Sequence, residues 1–326
     1  MKMKMKINNI NKPFVIAEAG SNFNQSLKFG KKLIQRAKKC GASAVKFQLF
    51  KAEKLYPDNK KMYKIFKKIE LSEQMFKKFK EFGDKIKIDV FASAFDIESL
   101  KFLEKCEIKY HKVASSELTN IKLLKFLSKT KKILFVSTGM SDINDVKQAI
   151  KILKKYNKKI VILQCGSLYP LSYEKNNLNV LNNYKKFNLP VGLSDHSLDS
   201  IAAITAIGLG AIVFEKHFTL SKKLPGPDHK FALEPSQLKN YISDINNAYS
   251  CMGSHEKMFL PEERKLSRRK SLYFKFSQKK GSILKRNGYV LKSPPLGILP
   301  RYKNTVLKKI LKKNVKKNTP ILANHF

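Results

Sequence analysis

The sequence has no tryptophan and four cysteines, Cys40, Cys106, Cys165 and Cys251, with no CxxC spacing among them. Four scattered thiols in 326 residues make neither a disulfide framework nor a thiolate metal site, and they fit a reducing cytoplasm. No apolar run is long enough to cross a bilayer; the longest, Ile201 to Phe214, is short and interrupted by glycine. The opening MKMKMKINNINKP is basic but passes into Asn and Pro without an apolar stretch, so no secretory leader is expected. Arginine is scarce too, at six of 66 basic residues. That scarcity counts against a nucleic-acid reader, which would favour the planar bidentate guanidinium, despite a net charge of +41. The excess is lysine spread over almost every segment, which suits a solvated surface that draws in small anions.

What is present is alternation. Short β-branched runs recur at Phe14–Ala19, Ala44–Phe50, Ile86–Ser93, Tyr110–Ser115, Ile133–Thr138, Ile160–Cys165, Pro190–Ser194 and Ala211–Phe218. Segments of helical periodicity separate several of them, among them Leu27–Lys39, Ile97–Lys105, Ile143–Tyr156 and Leu198–Leu209. Eight such units predict a (β/α)8 TIM barrel, of α/β class, over residues 1–252. The competing open doubly wound sheet would carry a G-x-G-x-x-G turn after its first strand, and none is there. A polar stretch at 253–269 reads as a linker, and 270–326 as a small β-rich domain of short strands and turns.

The runs end in residues that a hydrophobic barrel core would not select. In order these are Glu18; Lys46 and Gln48; Ser93; Lys112, Ser115 and Glu117; Ser137; Ser167 and Tyr169; Ser194 and His196; and Glu215 and His217. Any one of them could be a helix cap or a satisfied core residue. In a (β/α)8 barrel, however, all these ends meet on the face that carries active sites, so the set predicts one site. Lys46, Lys112 and the serines supply cations and hydroxyl donors for a doubly anionic substrate. His196 and His217, from neighbouring strands, could share a divalent ion with open positions for water and substrate. Glu18, Glu117, Glu215 and Asp228 remain for hydroxyl binding and proton transfer, with their roles undivided. Asp195 is expected to orient a histidine from behind.

The segments IAEAG, VKFQ, STGM, CGSLYP, GLSDHS, EKHFTL and GPDHKFALEP, in that order, resemble the bacterial sialic acid synthase family, whose members make N-acetylneuraminate, legionaminate and pseudaminate. RRKSLYF and SPPLGILP resemble its C-terminal antifreeze-like (SAF) domain. The resemblance implies a transferase that condenses phosphoenolpyruvate with an N-acylmannosamine-like amino sugar, giving a nine-carbon 2-keto acid and phosphate. It implies a manganese or magnesium ion on His196 and His217. Lys46, Ser93, Lys112, Ser115, Ser137, Ser167 and Ser194 would hold phosphoenolpyruvate, and Glu18, Gln48, Glu117, Tyr169 and Asp228 would surround the sugar. Glu18, Lys112, Glu117 and His217 would be catalytic. It further implies a homodimer in which the small domain covers the partner's barrel mouth. Three departures stand out: Phe23 and Gln25 replace an imidazole and a glycine expected near the sugar, Ser293 replaces an arginine of the SAF domain, and the segment between Gln48 and Asp89 is shorter than the family's, with no match for its sugar-contacting loop residue. They leave open a divergent, weakly active homologue that binds ligand or partner.

Overall fold

The computed structural model describes residues 12–266 and 268–326, so the basic opening stretch lies outside the described residues. The chain divides into two compact units after Gly253. In the first, eight parallel strands close into a barrel in chain order, with β1 pairing to both β2 and β8. The strands are β1 (Phe14–Gly20), β2 (Ala44–Leu49), β3 (Asp89–Ala94), β4 (Tyr110–Val113), β5 (Ile133–Ser137), β6 (Ile160–Cys165), β7 (Val191–Asp195) and β8 (Ala211–His217). Strands such as β5 (ILFVS) and β6 (IVILQC) are buried along their whole length, as parallel strands covered on both faces must be.

The helices that cover them are α1 (Leu27–Cys40), α2 (Ala52–Leu55), α3 (Lys60–Lys67), α4 (Glu73–Lys85), α5 (Ile97–Lys105), α6 (Ile121–Lys129), α7 (Ile143–Lys154), α8 (Val180–Lys185), α9 (Ile201–Gly208) and α10 (Pro235–Cys251). Local signals set their ends. The Ser26 hydroxyl accepts from the Phe29 amide to start α1, Gly41 (φ 93°) stops it, and an Asp142/Asp145 capping box starts α7.

One boundary differs from expectation. Ile86 does not begin the third strand but caps α4, because the run IKID is split by Lys87 in a left-handed conformation. The connection between β2 and β3 carries three helices, α2, α3 and α4.

The second unit contains a helix, α11 (Pro261–Lys265), within the stretch expected as linker; proline at its first turn and the Glu263 carboxylate accepting from the Leu260 amide start it. Beyond it, β9 (Ser271–Phe274) and β10 (Tyr289–Lys292) form an antiparallel pair. The segment KKGSIL forms no strand and contributes a single bridge, Ile283 to Ile310. A small core that includes Leu272, Phe274, Leu284, Leu311 and Ile321 holds this unit together.

Candidate active site at the barrel mouth

Register brings the strand-end residues together. In parallel neighbours, paired residues point to the same side, and the pairs here are Glu18 with Lys46, Glu18 with His217, Gln48 with Ser93, Ser93 with Lys112, and Ser194 with Glu215. The result is one cavity of ≈ 420 Å3 at the C-terminal ends of the strands. Every expected site residue lines it except Asp228. The Asp228 carboxylate reaches the same corner by another route. A Cβ on Gly20 (φ +49°) would sit 2.9 Å from Asp228 Oδ2, 3.4 Å from Glu18 Oε1 and 3.7 Å from Gln48 Nε2, so only a bare α-carbon leaves room for the three to converge.

Lysines and carboxylates alternate across the floor. Lys46 Nζ lies 2.7 Å from Glu18 Oε2 and 3.7 Å from Glu215 Oε2, and donates to Ser93 Oγ at 2.9 Å. Lys112 Nζ lies 3.5 Å from Glu215 Oε1, which also accepts from Ser194 Oγ at 3.0 Å. These two buried acids respond in opposite directions. Burial pushes the Glu18 carboxyl up to about 7, against the pull of Lys46 and with a further push from Glu215. Burial would raise Glu215 as well, but Lys112, Lys46 and the Ser194 hydroxyl outweigh it and bring Glu215 down to about 2. Burial also lowers Lys112, against Glu215, and raises Asp228, against Lys46.

On the β4–β6 side, Ser115 Oγ accepts from the Gly139 amide at 3.0 Å, and a Cβ on Gly139 would fall 2.8 Å from it and 2.2 Å from Ser167 Oγ. Ser115 and Ser167 therefore close in on the buried backbone of Gly139, where a side chain would not fit. The buried Ser137 hydroxyl has no hydrogen-bond partner among the described residues. Glu117 accepts from Asn120 Nδ2 at 2.7 Å at the rim.

The imidazoles of His196 and His217 lie 5.5 Å apart between ring centres, with Tyr169 packed on His196 at 4.1 Å. His196 Nδ1 bonds the Gly166 carbonyl at 2.5 Å, so Nδ1 carries the proton and Nε2 is the basic nitrogen. Buried His217 Nδ1 has no hydrogen-bond partner among the described residues, and burial and the His196 neighbour hold this ring well below the usual imidazole range. Burial lowers His196, but the Cys165 thiol and the Gly166 carbonyl outweigh it and raise it, so the two rings fit a divalent ion once His196 gives up its proton. Among the described residues no group of three or more His, Cys, Asp or Glu could hold one, so most of its ligands would be water and substrate.

Three expectations need correction. Asp195 orients no histidine: it accepts from the Ser197 amide and hydroxyl at 2.8 and 2.6 Å and from the Tyr241 hydroxyl at 3.0 Å, and pairs with Lys216 at 2.9 Å. The pleat turns it away from the cavity that its neighbours Ser194 and His196 line. Phe23 does not line the cavity: it is fully buried against Phe47 and Phe79 in the core. Gln25 instead donates to the Glu70 carbonyl at 3.0 Å. Glu70 in turn accepts from the Ala52 amide at 3.0 Å and pairs with Lys67 and Lys51, fastening the segment that carries α2 and α3.

Sequence reasoning placed Glu215 with Glu18, Glu117 and Asp228 for hydroxyl binding and proton transfer but did not foresee its pairing with both lysines. It did not find Cys165, whose thiol lies 4.0 Å from His196 Nδ1; burial would raise this thiol, but His196 outweighs it and brings it down to about 7. Nor did it find Phe50, Leu55, Tyr56, Phe66 and Phe95, which line one side of the cavity.

A model of the NeuB family matches residues 33–257. The chain belongs to the NeuB family. An uncharacterized protein of Methanocaldococcus jannaschii, MJ1065, is 39% identical over 92% of this chain and 90% of its own length. The N,N'-diacetyllegionaminic acid synthase of Legionella pneumophila is 36% identical over 96% of this chain and 94% of its own. Among solved structures, the N-acetylneuraminic acid synthetase of Leptospira borgpetersenii in complex with citrate superimposes with a TM-score of 0.75 at 29% identity, covering 79% of this chain and 90% of that one. The last two of these are a legionaminic acid synthase and a sialic acid synthetase, and the barrel is of that type. No helix among the described residues is long and apolar enough to cross a membrane.

Proposed function

We propose that this NeuB-family chain is a phosphoenolpyruvate-dependent nonulosonic acid synthase. The observation that carries the reading is the convergence of Lys46, Lys112, Ser93, Ser115, Ser137, Ser167 and Ser194 on one cavity beside the His196–His217 pair. A phosphate and a carboxylate on a three-carbon frame match two lysines, five hydroxyls and the unpaired Ser137 hydroxyl in particular. Lys46, Ser115, Ser137, Ser167 and Ser194 would take the phosphate, and Lys112 and Ser93 the carboxylate.

The reaction joins C3 of phosphoenolpyruvate to the aldehyde carbon of an open-chain N-acylmannosamine-like sugar. Water adds at C2, and the tetrahedral intermediate expels phosphate by C–O cleavage. Glu18, Gln48, Glu117, Tyr169 and Asp228 would hold the sugar. Glu18 is suited to deliver a proton to the aldehyde oxygen: its pKa is already pushed up to about 7, and a bound trianion beside it raises the pKa further. Glu215, brought down to about 2, stays ionised and favours the charged form of both lysines, raising Lys46 and partly offsetting the burial that lowers Lys112. His196 and His217 would hold a manganese or magnesium ion, which when bound supplies a Lewis acid for the aldehyde oxygen.

We also infer that the second unit is the SAF domain of a cytoplasmic homodimer, in which Ser293 removes a charged donor to the sugar. A monomer by sedimentation would refute the dimer. For the reaction, mass spectrometry of a mixture of phosphoenolpyruvate, manganese and N-acylated mannosamines should find a product three carbons longer than its sugar, with matching phosphate release. Both should be lost in His217→Ala, and no turnover of any such sugar refutes the reading.

A further inference from the structure

Between β8 and α10 the chain makes an excursion, 219–232, that contains no helix or strand, yet it supplies the site with two groups. Its Asp228 carboxylate enters the corner of Gly20, Glu18 and Gln48, and its Phe231 ring lies 5.0 Å from both His217 and Tyr169 between ring centres. Backbone bonds fasten its base: the Thr219 amide donates to the Leu233 carbonyl at 2.9 Å, and the Leu233 amide to the His217 carbonyl at 2.8 Å.

The far end is fastened by a side chain. His229 is fully buried, with Nδ1 2.6 Å from Thr219 Oγ1 and Nε2 3.0 Å from Asn24 Oδ1, in the loop after β1. An amide oxygen only accepts, so Nε2 carries a proton. Burial holds the ring below the usual imidazole range, so it is neutral, and Nδ1 is left to accept from the Thr219 hydroxyl. Gly226 (φ +145°) makes room for the ring, since a Cβ there would sit 2.7 Å from His229 Cδ2.

We infer that His229 is a positioning residue: it clasps the excursion to the loop after β1 and thereby sets where Asp228 and Phe231 stand in the site. It does not line the cavity, and it acts through Asp228, its neighbour in the chain, and Phe231, two residues on. The inference deepens the proposed reaction and rests on it for the sugar that Asp228 would hold.

Asn24 allows a test that spares the core. It is exposed, and glycine adopts its φ of 48° without strain, so Asn24→Gly removes the acceptor alone. Kinetics with phosphoenolpyruvate, manganese and whichever N-acylated mannosamine the wild type turns over should show the sugar KM raised roughly five- to tenfold and the phosphoenolpyruvate KM within about twofold of wild type. Hydrogen exchange on the full chain without substrates should show amides 226–231 opening faster and those of β8 unchanged. His229→Phe, which keeps a ring but bonds neither partner, should give larger changes of the same kind. His229→Gln, whose amide can still donate to Asn24, should recover part of the sugar KM. An unmoved sugar KM, an equal rise in both KM values, or unchanged exchange in Asn24→Gly overturns the inference. Failure of the reaction would appear separately, as absence of phosphate release by the wild type, while exchange still reports on the clasp.

Discussion

Two buried ionic networks lie back to back at the ends of β7 and β8. One consists of Lys46, Lys112, Glu18, Glu215 and Ser194 and opens into the cavity. The other consists of Asp195, Lys216, Tyr241 and Ser197 and lies behind the strands. Consecutive residues of a strand point to opposite faces, so Ser194 and Glu215 belong to the first network, while their successors Asp195 and Lys216, paired in register, belong to the second.

The networks differ in how completely they are satisfied. Asp195 uses both oxygens, and Lys216 also donates to the carbonyls of Ser197 and Asp199. In the cavity, Glu215 Oε2 and Ser137 Oγ are buried and lack hydrogen-bond partners among the described residues. A closed network holds a fold, whereas an open one keeps donors and acceptors free for a ligand.

The hardest test of this contrast is Lys216→Met. It leaves Asp195 buried without its cation and should lower the unfolding free energy by about 3–5 kcal/mol in urea titrations. Unchanged stability would mean that the rear network is as dispensable as the front one. Ser137→Ala is the counterpart, with unchanged stability and an increase in KM for phosphoenolpyruvate of about 10- to 100-fold from loss of a hydrogen bond to a charged group.

A smaller effect lies within the front network, as opposite pH slopes. Glu18, raised from 4.5 to about 7, contributes stability that is full below pH 4.5 and lost as pH rises through 7. Glu215, lowered from 4.5 to about 2, contributes stability that is present above pH 4.5 and lost as pH falls toward 2. Unfolding free energy measured against pH for the wild type, Glu18→Gln and Glu215→Gln should show the two slopes separately, and parallel curves would remove the distinction between the acids. The smallest change is expected in Tyr241→Phe. It deletes one donor to Asp195 and leaves Lys216 in place, so it should cost about 1 kcal/mol with no change in KM.

The barrel could be read from the sequence because its strands are near-continuous apolar runs punctuated by charge, and the polar ends gave away the mouth. Reading failed where adjacency in sequence was taken for adjacency in space. Asp195 stands next to His196 in the chain, yet the pleat sends it to the opposite face, where Lys216 and Tyr241 meet it. Phe23 failed for the same kind of reason, since matching positions said what it replaces but not that it would turn into the core. The aromatic side of the cavity was hidden because α2 and α3 bury little of their own. No residue of α3 is fully buried, and neither helix shows the long periodic stripe that marks a barrel helix.

One carboxylate, Glu70, receives the Ala52 amide at the start of that segment and Lys67 near its end, while its own carbonyl takes Gln25. The 52–67 part of this lining, unlike Phe50, is therefore pinned mainly at its edges and can open while β5 and β6 stay closed. Hydrogen exchange should show amides 52–67 opening well before those of β5 and β6, and faster still in Glu70→Ala. Acceptor entry and phosphoenolpyruvate retention would then be governed by separate parts of the same mouth.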